Sequence, residues 1–105
     1  MKIVLSSLAA RELIEESGKY EEKAPNFGSI FIDEFEVSVR LLQEFPEAGH
    51  VFGAHCRRVL MSRFPFSVIY AVSGDVVRIV AIMHQHRGPE FIAKRLEMDS
   101  TGSDW

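Results

Sequence analysis

The hydrophobic period changes twice along the chain, and these changes limit the folds open to it. A short β-branched segment, KIVL, comes first. Apolar side chains then recur every three or four residues as far as Phe45, the spacing of one face of an α-helix. After residue 56 the pattern has period two, as in a β-strand. The sequence therefore predicts an α+β domain in which two N-terminal helices pack on a sheet.

Two helices are predicted between Ser6 and Phe45. Ser6 or Ser7 is a suitable N-cap for the first, whose stripe continues to Tyr20. The segment KAPNFGS interrupts the pattern, and the second helix then continues until Pro46. Its phenylalanine-rich stripe predicts core rather than a cofactor site. The stripe comprises Phe27, Ile30, Phe31, Phe35, Val39, Leu42 and Phe45.

The C-terminal half predicts three strands and a short helix. The loop PEAGHVFGAHC precedes the strands RRVLMSR, FPFSVIYAV and VVRIVAIMH. The turn SGD joins the last two into an antiparallel hairpin in which Gly74 can take a positive φ. Gly88-Pro89 then begins the helix PEFIAKRL. The order is β-α-α-β-β-β plus this helix, with one domain over residues 1–96 and a disordered tail over residues 97–105.

Strict alternation in the last strand predicts which of its side chains face the helices. The face that packs on them is wholly apolar and carries Val77, Ile79, Ala81 and Met83. The opposite face is half apolar and carries Arg78, Val80, Ile82 and His84. If Phe66, Val68 and Tyr70 lie on that second face, they form an exposed apolar surface ringed by basic side chains, and such a surface marks a binding site.

Composition limits the class of protein. The chain has 105 residues, 47% of them hydrophobic, which suits one soluble domain, and no apolar run is long enough to span a membrane. The N-terminal apolar run is too short for a signal peptide, and Cys56 has no cysteine to pair with. We therefore expect a cytoplasmic protein.

Charge is unevenly distributed along the chain. Residues 1–56 carry ten acidic side chains against five basic ones, whereas residues 57–95 carry seven basic against two acidic ones. This pattern fits two arrangements. One is a basic face for an anionic partner, and the other is a basic sheet balanced internally by acidic helices.

The segment HQHR, residues 84–87, concentrates candidate chemistry. His84 and His86 are too few to hold zinc, and the loop residues His50, His55 and Cys56 do not complete a ligand pattern, so neither a metal nor a cofactor is expected. RNA cleavage without metal needs a base, an acid and cations for the phosphate. The two histidines could supply the first two, and Arg63 and Arg87 the third.

Several motifs together resemble one family. The run CRRVLMSRFPFSVIYAVSGDVVRIVAIMHQHRGPEF is similar to the C-terminal half of the RelE/ParE superfamily of type II toxin–antitoxin toxins. The Arg-rich strand, RFPFSVIY, the GD hairpin and a strand ending in HQHRGP follow in the family's order, and LLQEFPEAG also fits. The two long helices resemble the ParE branch more than the RelE branch. The resemblance implies a cognate antitoxin that neutralises the toxin.

The ParE branch implies inhibition of DNA gyrase by docking. The residues expected to bind the target are Arg58, Arg63, Arg78, His84 and Arg87. Those expected to bind the antitoxin are Phe66, Val68 and Tyr70. The alternatives are RelE-type cleavage of mRNA on the ribosome, with His84, His86 and Arg87 as catalytic groups, and a non-toxic module that binds only its antitoxin. Whether the chain is an enzyme, and whether it forms a homodimer or a hetero-oligomer, stays open.

One position argues against the RelE alternative. Many RNA-cleaving relatives carry a tyrosine in the terminal helix, where this chain offers Phe91. A phenyl ring can stack on a base but cannot donate or accept a proton. An acidic chain is also a poor match for the polyanionic ribosome. The sequence therefore favours docking over RNA cleavage.

Overall fold

The computed structural model describes residues 1–53 and 55–102, with side chains described as far as Glu97. Its elements are β1 (Lys2–Leu5), α1 (Ser7–Lys23), α2 (Phe27–Glu44), β2 (His50–Val51), β3 (Arg57–Leu60), β4 (Phe66–Ser73), β5 (Val76–His84) and α3 (Glu90–Gly102). This order confirms the predicted α+β architecture. It adds the short strand β2 inside the segment predicted as loop. The helix α3 also includes residues 97–102 of the predicted tail, and residues 103–105 lie outside the described residues.

The five strands form one mixed sheet in the order β1-β5-β4-β3-β2. Neighbours from β5 to β2 are antiparallel, as predicted for the hairpin, whereas β1 pairs with β5 in parallel, with Lys2 opposite Val76. Gly74 has φ 61° in the tight turn between β4 and β5, which a residue with a side chain would rarely adopt. Within the described residues no helix is long and apolar enough to cross a membrane.

Local hydrogen bonds fix the ends of the two long helices. Ser6 is the N-cap of α1, because its Oγ accepts the Ala9 N–H at 3.1 Å. The Glu21 carboxylate accepts the N–H groups of Asn26 and Gly28, both at 3.0 Å, and so caps the start of α2. The helices approach closely there, since a Cβ on Gly28 would lie 2.7 Å from the Ser17 carbonyl oxygen. This turn therefore holds α1 and α2 together as a hairpin.

The helical hairpin covers one face of the sheet and buries an aromatic core. Phe31, Phe35 and Leu42 are buried, which confirms the predicted stripe, while Phe27 and Phe45 at its ends are exposed. The Phe31 ring lies 5.4 Å from that of Phe66 on β4, in an edge-to-face arrangement. Packing against the hairpin therefore extends across the sheet to β4.

A β-bulge in β5 makes the predicted division of its two faces wrong beyond Val80. Ile69 pairs with Ala81 and Tyr70 pairs with Ile79, so Val80 is one residue more than β4 can match. Val80 and Ala81 consequently both pack on the side away from the helices. Ile82 then joins the helix-side core, contrary to the prediction, and Met83 joins the other side. A single extra residue reverses every side chain that follows it.

The predicted exposed apolar surface on β4 is also wrong. Phe66, Val68 and Tyr70 face the helices and are only 7%, 0% and 0% exposed. They are core residues, and the α1–α2 hairpin is the element that covers them. They cannot offer a docking surface for an antitoxin while the protein is folded.

The opposite face of the sheet has a smaller core, covered by α3 and the loop before β3. Its buried residues are Phe52, Cys56, Ile69, Val80, Ala81, Met83 and Ile92. Phe91 and Leu96 of α3 are half-buried against this group. Below, the face under α1 and α2 is called the helix-hairpin face, and the other is called the α3 face.

Candidate functional site

Three of the predicted site residues lie together at the end of β5. Gln85 donates its N–H to the Pro65 carbonyl at 2.9 Å, which ties the segment HQHR to the turn between β3 and β4. That turn carries Arg63, which is exposed, as is Arg87. His84 lies beside them and is half-buried. Arg63, His84 and Arg87 therefore share one end of the sheet.

The other two predicted target-binding residues lie elsewhere. Arg58 is opposite Ile69 and Arg78 is opposite Ala71, both of which pack on the α3 face. The Arg58 guanidinium lies 4.8 Å from the centre of the Phe52 ring on that face. Arg78 precedes the bulge in β5, near the opposite end of the strand. The five residues predicted to bind the target thus do not form a single surface.

The His84 imidazole is held by contacts on both sides. Its Nδ1 accepts the backbone N–H of His86 at 3.2 Å, and the two imidazole rings stack 4.7 Å apart. The Phe66 ring lies 5.6 Å away, edge to face. Each ring nitrogen has at most one lone pair in the ring plane, and this hydrogen bond engages the one on Nδ1. In this arrangement Nδ1 is therefore not available as a base.

Acidic side chains of α1 surround the same histidine. A cleft of about 360 Å³ lies between α1, the end of β5 and the start of α3. Its lining residues are Glu12, Glu15, Glu16, Phe66, Ile82, Met83, His84, Arg87 and Phe91. This cleft has mixed charge, so it is not the basic face that one interpretation of the sequence offered. Its carboxylates would repel the phosphates of a nucleic acid.

Arg87 and Phe91 lie side by side where the chain enters α3, with Arg87 exposed and Phe91 half-buried. The Arg87 guanidinium lies 4.4 Å from the centre of the Phe91 ring, within the range of a cation–π interaction. A second cleft, of about 510 Å³, runs along this pair and is lined by His86, Arg87, Gly88, Glu90, Phe91 and Lys94. We call Arg87 and Phe91 the Arg87–Phe91 tip. It presents a cation to solvent beside a half-buried aromatic ring.

An ion pair that no sequence pattern predicts lies close to this tip. Arg95 on α3 is 7% exposed, and its Nη2 lies 2.6 Å from Glu12 Oε2 on α1. Arg95 also donates to Glu12 Oε1 at 3.0 Å and to the Val80 carbonyl at 2.8 Å. The only signal in the sequence was that acids and bases are segregated into two halves, which does not identify partners. In this contact the halves balance each other, as the internal-balance interpretation predicts.

The segment FPEAG has a structural explanation at its glycine. Gly49 donates its N–H to the Tyr70 hydroxyl at 2.9 Å, and its carbonyl accepts from Arg57 at 2.8 Å. A Cβ at this position would lie 2.8 Å from the Tyr70 hydroxyl and from the Arg58 carbonyl oxygen. Burial raises the pKa of Tyr70 despite the Gly49 hydrogen bond, which opposes the shift. Tyr70 therefore anchors the loop after α2 as a neutral phenol.

Cys56 and the loop histidines give no sign of a reactive or metal-binding centre. Cys56 is buried, and burial raises the pKa of its thiol, which keeps it in the unreactive protonated form. Over residues 1–53 and 55–102, no three side chains of His, Cys, Asp or Glu are grouped as metal ligands would be. The described part of the chain therefore supports interpretation of Cys56 as a core residue.

The helix α2 also carries an exposed apolar stripe that the sequence analysis did not identify. Only its last residue was singled out, and it was assigned to the core. Val37, Leu41 and Phe45 follow one another at four-residue steps and are 46%, 41% and 60% exposed. Exposed carboxylates of Glu36 and Glu44 lie on the same helix. We call these three residues the α2 stripe. Its spacing is helical, but the buried stripe of the same helix obscures it in the sequence.

Comparison with known proteins places this geometry in one family. The model of the family described as ParE toxin of type II toxin–antitoxin system, parDE, matches residues 3–89. Among solved structures, a chain of the chromosomal ParDE TA system from P. aeruginosa superimposes with a TM-score of 0.69 at 22% identity, over 80% of this chain and 95% of that one. At this identity the superposition shows a common fold. The search of curated proteins returned no match. Because the family match extends over most of the sequence, the chain belongs to the ParE toxin family of type II toxin–antitoxin systems.

Proposed function

We propose that this chain inhibits DNA gyrase by docking on it, and that a cognate antitoxin neutralises it. The family match supports the role of toxin. The observation that carries docking over RNA cleavage is the hydrogen bond from the His86 N–H to His84 Nδ1. It engages the lone pair on Nδ1, so that nitrogen is not available as a general base. The carboxylates lining the cleft beside His84 further disfavour a bound RNA.

The Arg87–Phe91 tip is the surface that we assign to the target. Arginine and aromatic side chains are enriched among the residues that dominate protein–protein binding. Arg87 is the exposed residue of the tip, and its guanidinium is held against the Phe91 ring. Because the Arg87 side chain is already restricted, less conformational entropy is lost on docking. Arg63 lies at the same end of the sheet and extends this surface. Arg58 and Arg78 lie on the α3 face and are left out of it.

The α2 stripe is the surface that we assign to the antitoxin, in place of the buried residues of β4. Exposed apolar side chains at four-residue steps suit an amphipathic partner segment. The carboxylates of Glu36 and Glu44 beside the stripe favour a segment with basic flanks. The stripe lies on α2, whereas the tip lies at the end of β5. The two partners would therefore contact different elements of the toxin.

Two activity assays test the target. Purified toxin should inhibit supercoiling by gyrase and leave ribosome-bound mRNA intact, and addition of the antitoxin should restore supercoiling. Inhibition follows from occupying a surface of gyrase, so it should depend on toxin concentration in the way binding does. Cleaved mRNA together with unimpaired supercoiling would overturn the proposal.

A binding assay tests the surface assigned to the antitoxin. Leu41→Asp places a charge in the stripe, and it should weaken the complex by about 2 kcal/mol or more if the stripe is the core of the interface. Ile14→Asp is the matched control, because Ile14 is a 68% exposed apolar residue on α1, outside the stripe. Equal affinities for the two variants in calorimetry would remove the α2 stripe from the interface.

A further inference from the structure

The most unusual contact outside the proposed binding surfaces is the one that holds α3 to the sheet. We propose that α3 is a cover that opens as a unit while the rest of the domain stays folded, and that the Glu12–Arg95 pair controls this opening. The inference concerns the fold, and it stands whether or not gyrase is the target. Four observations carry it.

The first observation is that the pair takes the place of a missing strand. β1 ends at Leu5, opposite Ile79, so the outer edge of β5 has no β1 residue to pair with beyond that point. Two backbone groups on this edge are satisfied by side chains instead. The Ile82 N–H donates to Glu12 Oε1 at 3.0 Å, and the Val80 carbonyl accepts from Arg95 at 2.8 Å. Unsatisfied backbone groups at a buried edge are costly, which makes this contact hard to replace.

The second observation is that this pair makes a polar connection between α3 and the body of the domain. Arg95 lies on the side of α3 that faces the core, and its side chain is only 8% exposed. It makes both of its contacts to Glu12 from this buried position. A guanidinium that is removed from water depends strongly on its partner. If the pair separates, Arg95 is therefore more stable in solvent than against the sheet, and α3 moves with it.

The third observation is that the cores of the two faces are separate. The sheet divides the core under the helical hairpin from the one under α3. Of the α3 side chains described, as far as Glu97, Ile92 is buried in the core of the α3 face, and Phe91 and Leu96 are half-buried against it. None of the three belongs to the core under the helical hairpin. The aromatic core built on Phe31 has no contribution from the part of α3 whose side chains are described, residues 90–97. Release of α3 therefore leaves the larger core intact, which is the condition for local opening.

The fourth point is the surface that opening would uncover. Ile69, Ala81 and Met83 are buried on the α3 face, so release of α3 would make part of this group accessible. Phe91 would leave its position beside Arg87, since it belongs to α3 and Arg87 does not. Opening would therefore disrupt the Arg87–Phe91 tip and uncover an apolar face of the sheet. Because the Glu12–Arg95 pair holds α3 closed, it also keeps Phe91 in position beside Arg87.

Hydrogen exchange of the full chain tests the proposal without any variant. Amides of residues 92–97 should exchange through an opening of lower free energy and weaker urea dependence than global unfolding, whereas amides of β4 and β5 should exchange only through global unfolding. The same free energy and the same urea dependence for α3 and β4 would overturn the proposal, because they would show that α3 opens only when the whole domain unfolds.

Variants of the pair test its control of opening. Glu12→Ala should speed exchange in residues 92–97 by about tenfold or more and also expose the Ile82 amide, with β4 unchanged. Arg95→Lys keeps the charge but lacks the planar fork, so it should give an intermediate increase. Lys19→Ala is the control, because it removes the exposed Glu16–Lys19 pair of the same helix, at 3.4 Å, and should leave α3 unchanged. Equal α3 exchange in Glu12→Ala and Lys19→Ala would contradict the assigned role of the pair.

Discussion

Two long helices cover one face of the sheet, whereas one shorter helix and a loop cover the other. The helix-hairpin face buries stacked aromatic rings, and the helices above it are joined by the Glu21 capping bonds. The α3 face buries aliphatic residues and Phe52, and a side-chain ion pair closes its edge. One side of the sheet thus supports the larger, aromatic core, and the other carries the helix that we propose opens separately. The proposed target surface lies at the end of the sheet where the two sides meet.

The largest expected difference between the faces is in stability. Phe31→Ala should lower the free energy of global unfolding by about 3–5 kcal/mol, because Phe31 is fully buried among aromatic rings. Ile92→Ala removes an equally buried residue of α3. It should lower the global free energy by less, since the loss cannot exceed the free energy that keeps α3 closed on the sheet. Urea unfolding measures both. Equal losses would mean that the two faces unfold as one unit.

A glycine pair tests how tightly the loop after α2 is held to the helix-hairpin face. Gly49→Ala should destabilise the domain by about 1–3 kcal/mol, because its Cβ would lie 2.8 Å from the Tyr70 hydroxyl. Gly18→Ala is the control, since nothing lies within 4 Å of a Cβ there and the residue is inside α1. It should stabilise by roughly 0.5–1 kcal/mol. A Gly49→Ala variant as stable as the parent would show that the loop moves aside.

The smallest effect is on pH dependence, and both faces supply titrating groups. Burial raises the pKa of Cys56 on the α3 face from its usual 9.0, and the pKa values of Tyr20 and Tyr70 on the helix-hairpin face from their usual 10.0. The folded state therefore keeps protons that the unfolded chain releases, and stability falls as pH rises above each usual value. Urea midpoints over this alkaline range should decline less steeply in Cys56→Ala and, at higher pH, in Tyr70→Phe. Unchanged slopes would mean that neither Cys56 nor Tyr70 contributes.

The sequence predicted the elements well and the faces of β5 poorly. The N-cap at Ser6, the end of α2 before Pro46 and the hairpin at Gly74 depend on local chemistry, and the structure confirms them. The bulge at Val80 has no such local signal, because the residues on both sides of it are apolar. The residues Phe66 to Tyr70 are buried on both faces, so alternation could not show which side meets the helices.

Only part of the candidate site could be predicted in position, because Arg58 and Arg78 lie on the α3 face, away from the other three residues. The proximity of Arg63, His84 and Arg87 follows from the hairpin order of the strands. The carboxylates beside His84 come from α1, some 70 residues away in sequence, and nothing local indicates that they meet it. Glu12 and Arg95 are 83 positions apart, and their pairing depends on the tertiary arrangement alone.

The most direct test of docking against catalysis compares two variants at the same end of the sheet. Arg87→Ala removes the exposed cation of the tip, and His84→Gln keeps a hydrogen-bonding side chain but cannot titrate. We expect Arg87→Ala to weaken inhibition of gyrase supercoiling by about 2 kcal/mol, roughly thirtyfold, and His84→Gln to leave it nearly unchanged. Ribosome-bound mRNA that the parent protein cleaves, that Arg87→Ala still cleaves and that His84→Gln leaves intact would contradict docking and establish His84 as a catalytic group.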